Sequence, residues 1–297
     1  MRVFVTGASG FVGSAVVAEL IAAGRQVLGL ARSEASALSV AAAGAQVHRG
    51  DLTDLESLRS GAAATDAVIH TAFIHDFSKF AENCEIDRRA IEALGAVLAG
   101  SDRPLIVTSG TGLLTPGHLA TEDTVRPTGS AIPRVSEQAG LSLVSQGVRV
   151  SAMRLPPTVH GDGDHGFVPI LIGLARDKGA SAYIGDGNNR WPAVHRLDAA
   201  QLYRLVLEKG TAGAVYHAVA EQGVPFREIA EAIGRGLNLP VKSVTGDEVE
   251  AYFGGFAMFA GVDNPASSAL TRQWLNWRPE HVGLIEDIEA GHYFEQK

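Results

Sequence analysis

A single cysteine, Cys84, occurs in 297 residues, so no internal disulfide can form and a structural zinc site built from several cysteines is excluded. That scarcity fits a reducing compartment, and a cytoplasmic setting is expected. No run of about eighteen apolar residues occurs, so no membrane-spanning helix is expected. The first residues enter a β-rich run with no basic and apolar leader before it, so no secretory signal is expected either. Basic residues are outnumbered: 25 against 33 acidic ones leave a formal charge of −8, with no dense Lys/Arg run. Nucleic acid and anionic membranes are therefore not expected as partners, whereas a small-molecule ligand is. Internal repeats are lacking too, and nothing is low in complexity beyond a mild alanine enrichment.

What is present is concentrated at the start. Met1-Arg-Val-Phe-Val-Thr-Gly7-Ala-Ser-Gly10-Phe-Val-Gly13 reads as an apolar strand over Arg2 to Thr6, a glycine turn, and an apolar helix from Phe11 to Ala23 stopped by Gly24. Glycines three apart suit a dinucleotide: one tightens the turn, one lets backbone approach a pyrophosphate, and one allows close helix–strand packing. The helix N-terminus then faces the negative charge. Gly7, Ser9, Gly10, Phe11, Val12 and Gly13 are assigned to this cofactor-binding turn.

The alternation continues with a strand at Val27 to Ala31, a helix capped by Ser33 and running to Ala43, and a strand at Gln46 to Arg49. Thr53 and Glu56 read as a capping box for a short helix, followed by a strand at Asp66 to His70 and a long helix from Phe77 to Leu98. Further strands are expected at Pro104 to Thr108, Val148 to Leu155 and Ala214 to His217, with helices at Ile132 to Gln146 and Asp198 to Glu208. Strands separated by helices imply parallel β-α-β units. The expected fold is α/β, a Rossmann doubly wound parallel sheet with a smaller, mostly helical C-terminal substrate domain. Residues 1–155 form the dinucleotide-binding part, with its sheet completed by about 193–218; residues 156–192 and 219–297 form the substrate side.

The residues after the second strand bear on the ribose. Arg32 and Ser33 favour NADP(H), because a planar cation and a hydroxyl accommodate a 2′-phosphate; alternatively Ser33 only caps its helix and Arg32 is solvated. Glu34 speaks for NAD(H), which stays possible. Asp51 either caps the next helix or, since Thr53 has the better capping spacing, joins Leu52 against an adenine.

Thr6 to Gly13, Gly50-Asp51-Leu52, His70-Thr71-Ala72, and Arg154-Leu-Pro-Pro-Thr-Val-His-Gly161 together resemble the extended and atypical short-chain dehydrogenase/reductase family, over most of the chain. Trp191-Pro-Ala-Val-His-Arg-Leu-Asp198 is similar to a later strand-to-helix passage of the same family. The resemblance implies that Thr71, Ala72, Phe73 and Thr108 line the cofactor, with Pro156 to Thr158 near its nicotinamide. It also implies a homodimer through helices 77–98 and 132–146.

The family's hydride-transferring members use a Tyr, a Lys four residues later, and a Ser or Thr. At the corresponding positions stand Pro133 and Glu137, and none of the five tyrosines precedes a Lys by four. The hydroxyl position falls on Gly110, flanked by Ser109 and Thr111. Arg134 is the basic residue nearest the missing pair. His75 and Lys79 follow the fourth strand, and His160 and His165 follow the sixth, where active-site groups of open α/β sheets collect. Thr111, Ser109, Arg134, Lys79 and His160 are the catalytic candidates, and His75, His165 and Trp191 the substrate candidates, although Trp191 reads equally as core. Phe253, Phe256, Met258 and Phe259 read as a lid or as packing. The run His160-Gly-Asp-Gly-Asp-His165 completes neither a zinc nor a calcium pattern, so no metal is assigned. The expected function is NADP(H)-dependent reduction of a carbonyl, imine or activated alkene; a non-catalytic nucleotide sensor and an epimerase or dehydratase are the alternatives.

Overall fold

A computed structural model describes residues 1–114, 116–127, 129–130 and 132–295. In chain order the elements are β1 (Arg2–Thr6), α1 (Phe11–Ala22), β2 (Gln26–Ala31), α2 (Glu34–Ala42), β3 (Gln46–Arg49), α3 (Leu55–Ala63), β4 (Ala67–His70) and α4 (Phe80–Leu98). They continue with β5 (Pro104–Gly110), α5 (Ser136–Ser142), β6 (Arg149–Leu155), β7 (Thr158–His160), α6 (Phe167–Lys178), β8 (Ser181–Ile184), β9 (Arg190–His195) and α7 (Arg196–Lys209). The remainder is β10 (Val215–His217), β11 (Glu221–Pro225), α8 (Phe226–Leu237), β12 (Val241–Val244), α9 (Asp247–Phe253), α10 (Ala257–Ala260), α11 (Ala269–Leu275) and α12 (Leu284–Glu289).

The main sheet has seven strands in the order β10-β6-β5-β4-β1-β2-β3, every neighbouring pair parallel. Strand order reverses between β1 and β4, the crevice where open α/β sheets bind ligands. Both faces are covered, as parallel sheets require. Alternation along β1 sends Val3 and Val5 into the core under α1, α2 and α7, and Phe4 into the core under α3, α4 and α5. A third core surrounds Trp191, Phe226 and Phe253, where α6, α8, α9 and α12 enclose the small sheets β11-β9-β7 and β12-β8.

Two local expectations need correction. The cap of α3 is Asp54, whose carboxylate accepts from Ser57 N at 3.2 Å, not Thr53. Thr53 instead donates its N–H and hydroxyl to Asp51 Oδ1 at 2.9 and 2.8 Å, which leaves Asp51 Oδ2 without a hydrogen-bond partner among the described residues. The helix expected from Ile132 starts only at Ser136, because Pro133 disfavours helix before it and Arg126 takes the carbonyls of Ile132 and Arg134. Beyond Ala220 two short strands accompany the helices, β11 pairing with β9 and β12 with β8.

Candidate functional site

At the switch point the glycine turn is packed to contact. A Cβ on Gly13 would lie 2.0 Å from Gly7 O, and one on Gly7, whose φ is +70°, would lie 2.8 Å from both Ala72 N and Thr71 Oγ1. Thr71 Oγ1 donates to Thr6 O at 2.7 Å, which ties the end of β4 to the turn. Helix α1 starts with Gly10 as N-cap, without a side-chain cap and without an acidic residue in its first turn. Its free N–H groups and positive end are therefore left for an external anion, which Ser9, Gly10, Phe11 and Val12 border. These are features a dinucleotide's pyrophosphate fits.

Beside β2 and β3, Arg32 is exposed and makes no ion pair among the described residues. Ser33 is the N-cap of α2, sharing a reciprocal box with Ser36, so the capping alternative holds for its side chain. Arg49, not singled out from the sequence, reaches Ser33 O at 3.1 Å and pairs with Glu34 Oε2 at 2.5 Å. Glu34 thus has a cationic partner at the surface. Leu52 is buried beside Leu28 and Leu30.

At the other end of the cleft Arg134 is enclosed. Its guanidinium lies 4.1 Å from the Phe73 ring centroid, its Nε donates to Ser136 Oγ at 3.0 Å and its Nη2 to Thr108 O at 3.4 Å. Ser136 Oγ donates to Asp87 Oδ2 at 2.5 Å, Asp87 Oδ1 meets His70 Nε2 at 3.1 Å, and His70 Nδ1 meets Thr6 Oγ1 at 2.8 Å. A buried polar chain thus links the glycine turn to Arg134. Burial pulls the Arg134 pKa down, and Asp87 counters it. The sequence did hold a signal for Asp87, which is the one charged residue on the buried face of α4 with Cys84, Ile91 and Leu94.

Of the hydroxyls after β5, Thr108 and Thr111 are spoken for. Thr108 Oγ1 donates to His70 O at 2.7 Å and meets the Tyr203 hydroxyl at 2.7 Å; burial raises the pKa of Tyr203. Thr111 donates to Asn264 Oδ1 at 3.0 Å and is fully buried, so it does not present a hydroxyl to a substrate. Ser109 is also buried, at 3% exposure, but its Oγ has no hydrogen-bond partner among the described residues, and on that ground it is the better candidate of the two. Glu137, at the lysine's expected position, forms a paired contact with Arg154 at 2.7 and 2.6 Å, and Arg154 also meets His217 Nε2 at 3.1 Å. Glu137 therefore serves the fold rather than a proton transfer.

His75 and His165 come from opposite sides of the cleft. The His75 ring lies edge-on to Phe73 at 5.0 Å, and its pKa is lowered by burial and by the positive charges of Arg134 and His165. His165 lies edge-on to Phe11 at 5.7 Å. Lys79 stands exposed on the lip at the start of α4. An aromatic chain crosses between the two halves: Phe73 to Phe80, Phe80 to Phe77, Phe77 to Phe259 at 5.9 Å, and Phe259 to Phe167 at 5.1 Å. Phe253 is core, Phe256 and Phe259 are partly buried, and Met258 is exposed.

Two candidates are displaced from the cleft. Trp191 is buried against Phe226 at 4.9 Å and is core, not a pocket wall. His160 is buried and its Nδ1 meets Asp287 Oδ2 at 2.9 Å, with its ring edge-on to His195; that partnership holds α12 and does not face a reacting carbonyl. Pro156 and Thr158 are buried as β7 begins, and Thr158 Oγ1 is sealed without a hydrogen-bond partner among the described residues.

Comparison with known proteins agrees with this frame. A profile of the NAD dependent epimerase/dehydratase family matches residues 3–111. An uncharacterized protein of Schizosaccharomyces pombe is 53% identical over 99% of this chain and 100% of its own length. The 4-hydroxy-2-methyl-3-oxo-4-farnesyl-3,4-dihydroquinoline-1-oxide ketoreductase of Stigmatella aurantiaca is 30% identical over 73% of this chain and 67% of its own. Among solved structures, DesIV, the dTDP-glucose 4,6-dehydratase of Streptomyces venezuelae with NAD and TYD bound, superposes with a TM-score of 0.77 at 22% identity, over 98% of this chain and 96% of that one. That last likeness shows the fold. No helix of the described residues is long and apolar enough to cross a membrane.

Proposed function

The chain belongs to the NAD dependent epimerase/dehydratase family of extended short-chain dehydrogenases/reductases, and we propose that within it this protein is an NADP(H)-dependent oxidoreductase. Its substrate is a carbonyl, imine or activated alkene on a small or medium apolar molecule. The observation that carries the reading is the clustering of Arg134 and His75 about the Phe73 ring beyond the ends of β4 and β5, with His165 close enough to act electrostatically on His75. The farnesyl-bearing substrate in the ketoreductase's name is consistent with the aromatic side chains there.

When bound, the reduced nicotinamide supplies the hydride. The glycine turn would hold the pyrophosphate, and Arg32 with Arg49 the 2′-phosphate. For a ketone, reduction would place negative charge on the carbonyl oxygen. Arg134, a fixed cation with donors remaining on its guanidinium, stabilises that oxygen. Protonated His75 gives the alkoxide a proton and leaves as neutral imidazole, so the alcohol is released. Ser109 orients the carbonyl, and the phenylalanines exclude water.

The test is to follow NADPH oxidation by purified protein with ketones, aldehydes, imines and enones bearing apolar substituents. Turnover of at least one class is expected, with the rate lowered in Arg134→Gln and His75→Gln variants. Tight NADPH binding with no turnover of any class would overturn the reductase reading in favour of a nucleotide sensor, and interconversion of a sugar nucleotide with retained cofactor would favour an epimerase. A homodimer through α4 and α5 is part of the proposal, and sedimentation at the monomer mass would refute it.

A further inference from the structure

We propose that Arg196 is a diphosphate-binding residue that also latches the loop 161–166 onto the start of α1. This rests on the dinucleotide reading above and adds a contact from the far half of the chain.

Arg196 opens α7, which packs along α1. Its Nη1 donates to Asp162 O at 2.7 Å and its Nη2 to Ser14 Oγ at 3.3 Å, while the guanidinium lies 4.8 Å from the Phe11 ring centroid. The loop is pressed against this side chain: a Cβ on Gly161 would meet Arg196 Cγ at 3.0 Å. The same loop rests His165 on Phe11 and is held from behind by Tyr293, whose hydroxyl donates to Asp164 Oδ2 at 2.9 Å and accepts from Gly161 N at 3.2 Å.

The charge balance is what calls for an anion. Arg196 has no carboxylate partner among the described residues; its acceptors are a carbonyl and a hydroxyl, and its Nε is buried without any. It is therefore a partly buried cation with no direct ion pair, on which the Asp162 carboxylate acts only from beyond pairing distance, beside the positive end of a twelve-residue helix that carries no acidic residue in its first turn. Two positive features set together repel each other until an anion lies between them. A diphosphate on the α1 N-terminus satisfies both, and a guanidinium fork suits its geometry. Filling the site then tightens the loop, because the same side chain holds Asp162.

The experiment compares the parent with Arg196→Gln and Arg196→Lys by calorimetric titration with NADPH, NADH and ADP-ribose, and by hydrogen exchange of residues 161–166 without cofactor. The Gln variant is expected to bind all three ligands about 10- to 100-fold more weakly, the range of a lost charge-assisted contact, and to exchange faster in the loop. The Lys variant keeps the charge but loses the fork, and an intermediate loss is expected; if the Gln variant does not fold, the Lys variant decides. Parent-like affinity for ADP-ribose in the folded variant overturns the role of Arg196 while the dinucleotide site stands. A parent that binds none of the three overturns the dinucleotide reading and this proposal with it.

Discussion

Replacing Gly13 by Ala is the sharpest probe of the cofactor turn. The new methyl would stand 2.0 Å from Gly7 O and 2.7 Å from Gly7 C, both backbone atoms that no rotamer change can move. Reaching an ordinary contact of 3.4 Å requires α1 and the turn to separate by 3.4 − 2.0 = 1.4 Å. Overpacking of this kind costs about 1–3 kcal/mol, and each kcal/mol lowers Tm by about 2–4 °C in a domain of this size class. Ligand binding should suffer more than the fold. A shift of that size breaks at least one backbone N–H contact to a bound phosphate, worth about 1.5–3 kcal/mol, or about a tenfold to hundredfold loss of NADPH affinity. Gly173→Ala is the control, since its site in α6 has nothing within 4 Å and the change should raise stability by about 0.5–1 kcal/mol. NADPH fluorescence titration and thermal unfolding read both quantities. A folded Gly13→Ala protein that binds NADPH as tightly as the parent would refute the assignment of this turn to a pyrophosphate.

Arg32→Ala should weaken NADPH about tenfold or more and leave NADH unchanged, and Arg49→Ala should act in the same direction by freeing Glu34; equal losses for both cofactors in titrations would remove the 2′-phosphate role. Because burial and neighbouring cations lower the His75 pKa, its acid form is lost as pH rises through a value below 6.5, so kcat for reduction should fall with rising pH while oxidation of the alcohol gains; a His75→Gln variant with the parent's pH profile would exclude the residue. Glu137→Lys, which places a lysine where the family has one, should not create activity and should destabilise the fold by about 3–5 kcal/mol, since it leaves buried Arg154 unpaired against a second cation; urea unfolding measures this, and a stable, more active variant would contradict it. His217 is held neutral, at a pKa of about 4, by burial and by Arg154, with its Nδ1 facing Ser267 O. Its unfolded form binds a proton near 6.5, so stability should fall as pH drops from 6.5 toward 4, by about 3 kcal/mol in full; an unchanged pH slope in His217→Gln unfolding would refute this.

Much of the fold was legible because it is written in local periodicity. Apolar strands alternating with capped helices gave the parallel order before any contact was known, and the seven-stranded sheet carries those same segments. The structure departs from these expectations where a competing group takes the expected partner. Thr53 and Glu56 have capping spacing, yet Asp51 captures Thr53 and Asp54 caps instead. Residues 132–135 lead directly into α5, yet Arg126 takes the carbonyls of Ile132 and Arg134. Strand β11 contains glycine and proline, and it forms because β9 offers an edge to it.

The site divides the same way. Gly7, Gly10 and Gly13 were identifiable by themselves, since a tight turn between a strand and a helix is satisfied within a dozen residues. Arg134 and Glu137 sit three residues apart and look alike as polar substitutes, but folding gives Arg134 to the cleft beside Phe73 and Glu137 to Arg154. His160 ends β7 and His165 lies in the loop that follows, and Asp287, 127 residues from His160, withdraws the first while the second rests on Phe11. The sequence by itself determined the sheet, the glycine turn and the absence of the usual Tyr and Lys. Which polar side chains remain free for chemistry was decided only by tertiary structure, because a buried charge or hydroxyl takes the nearest partner in space, and spacing along the chain does not encode that partner.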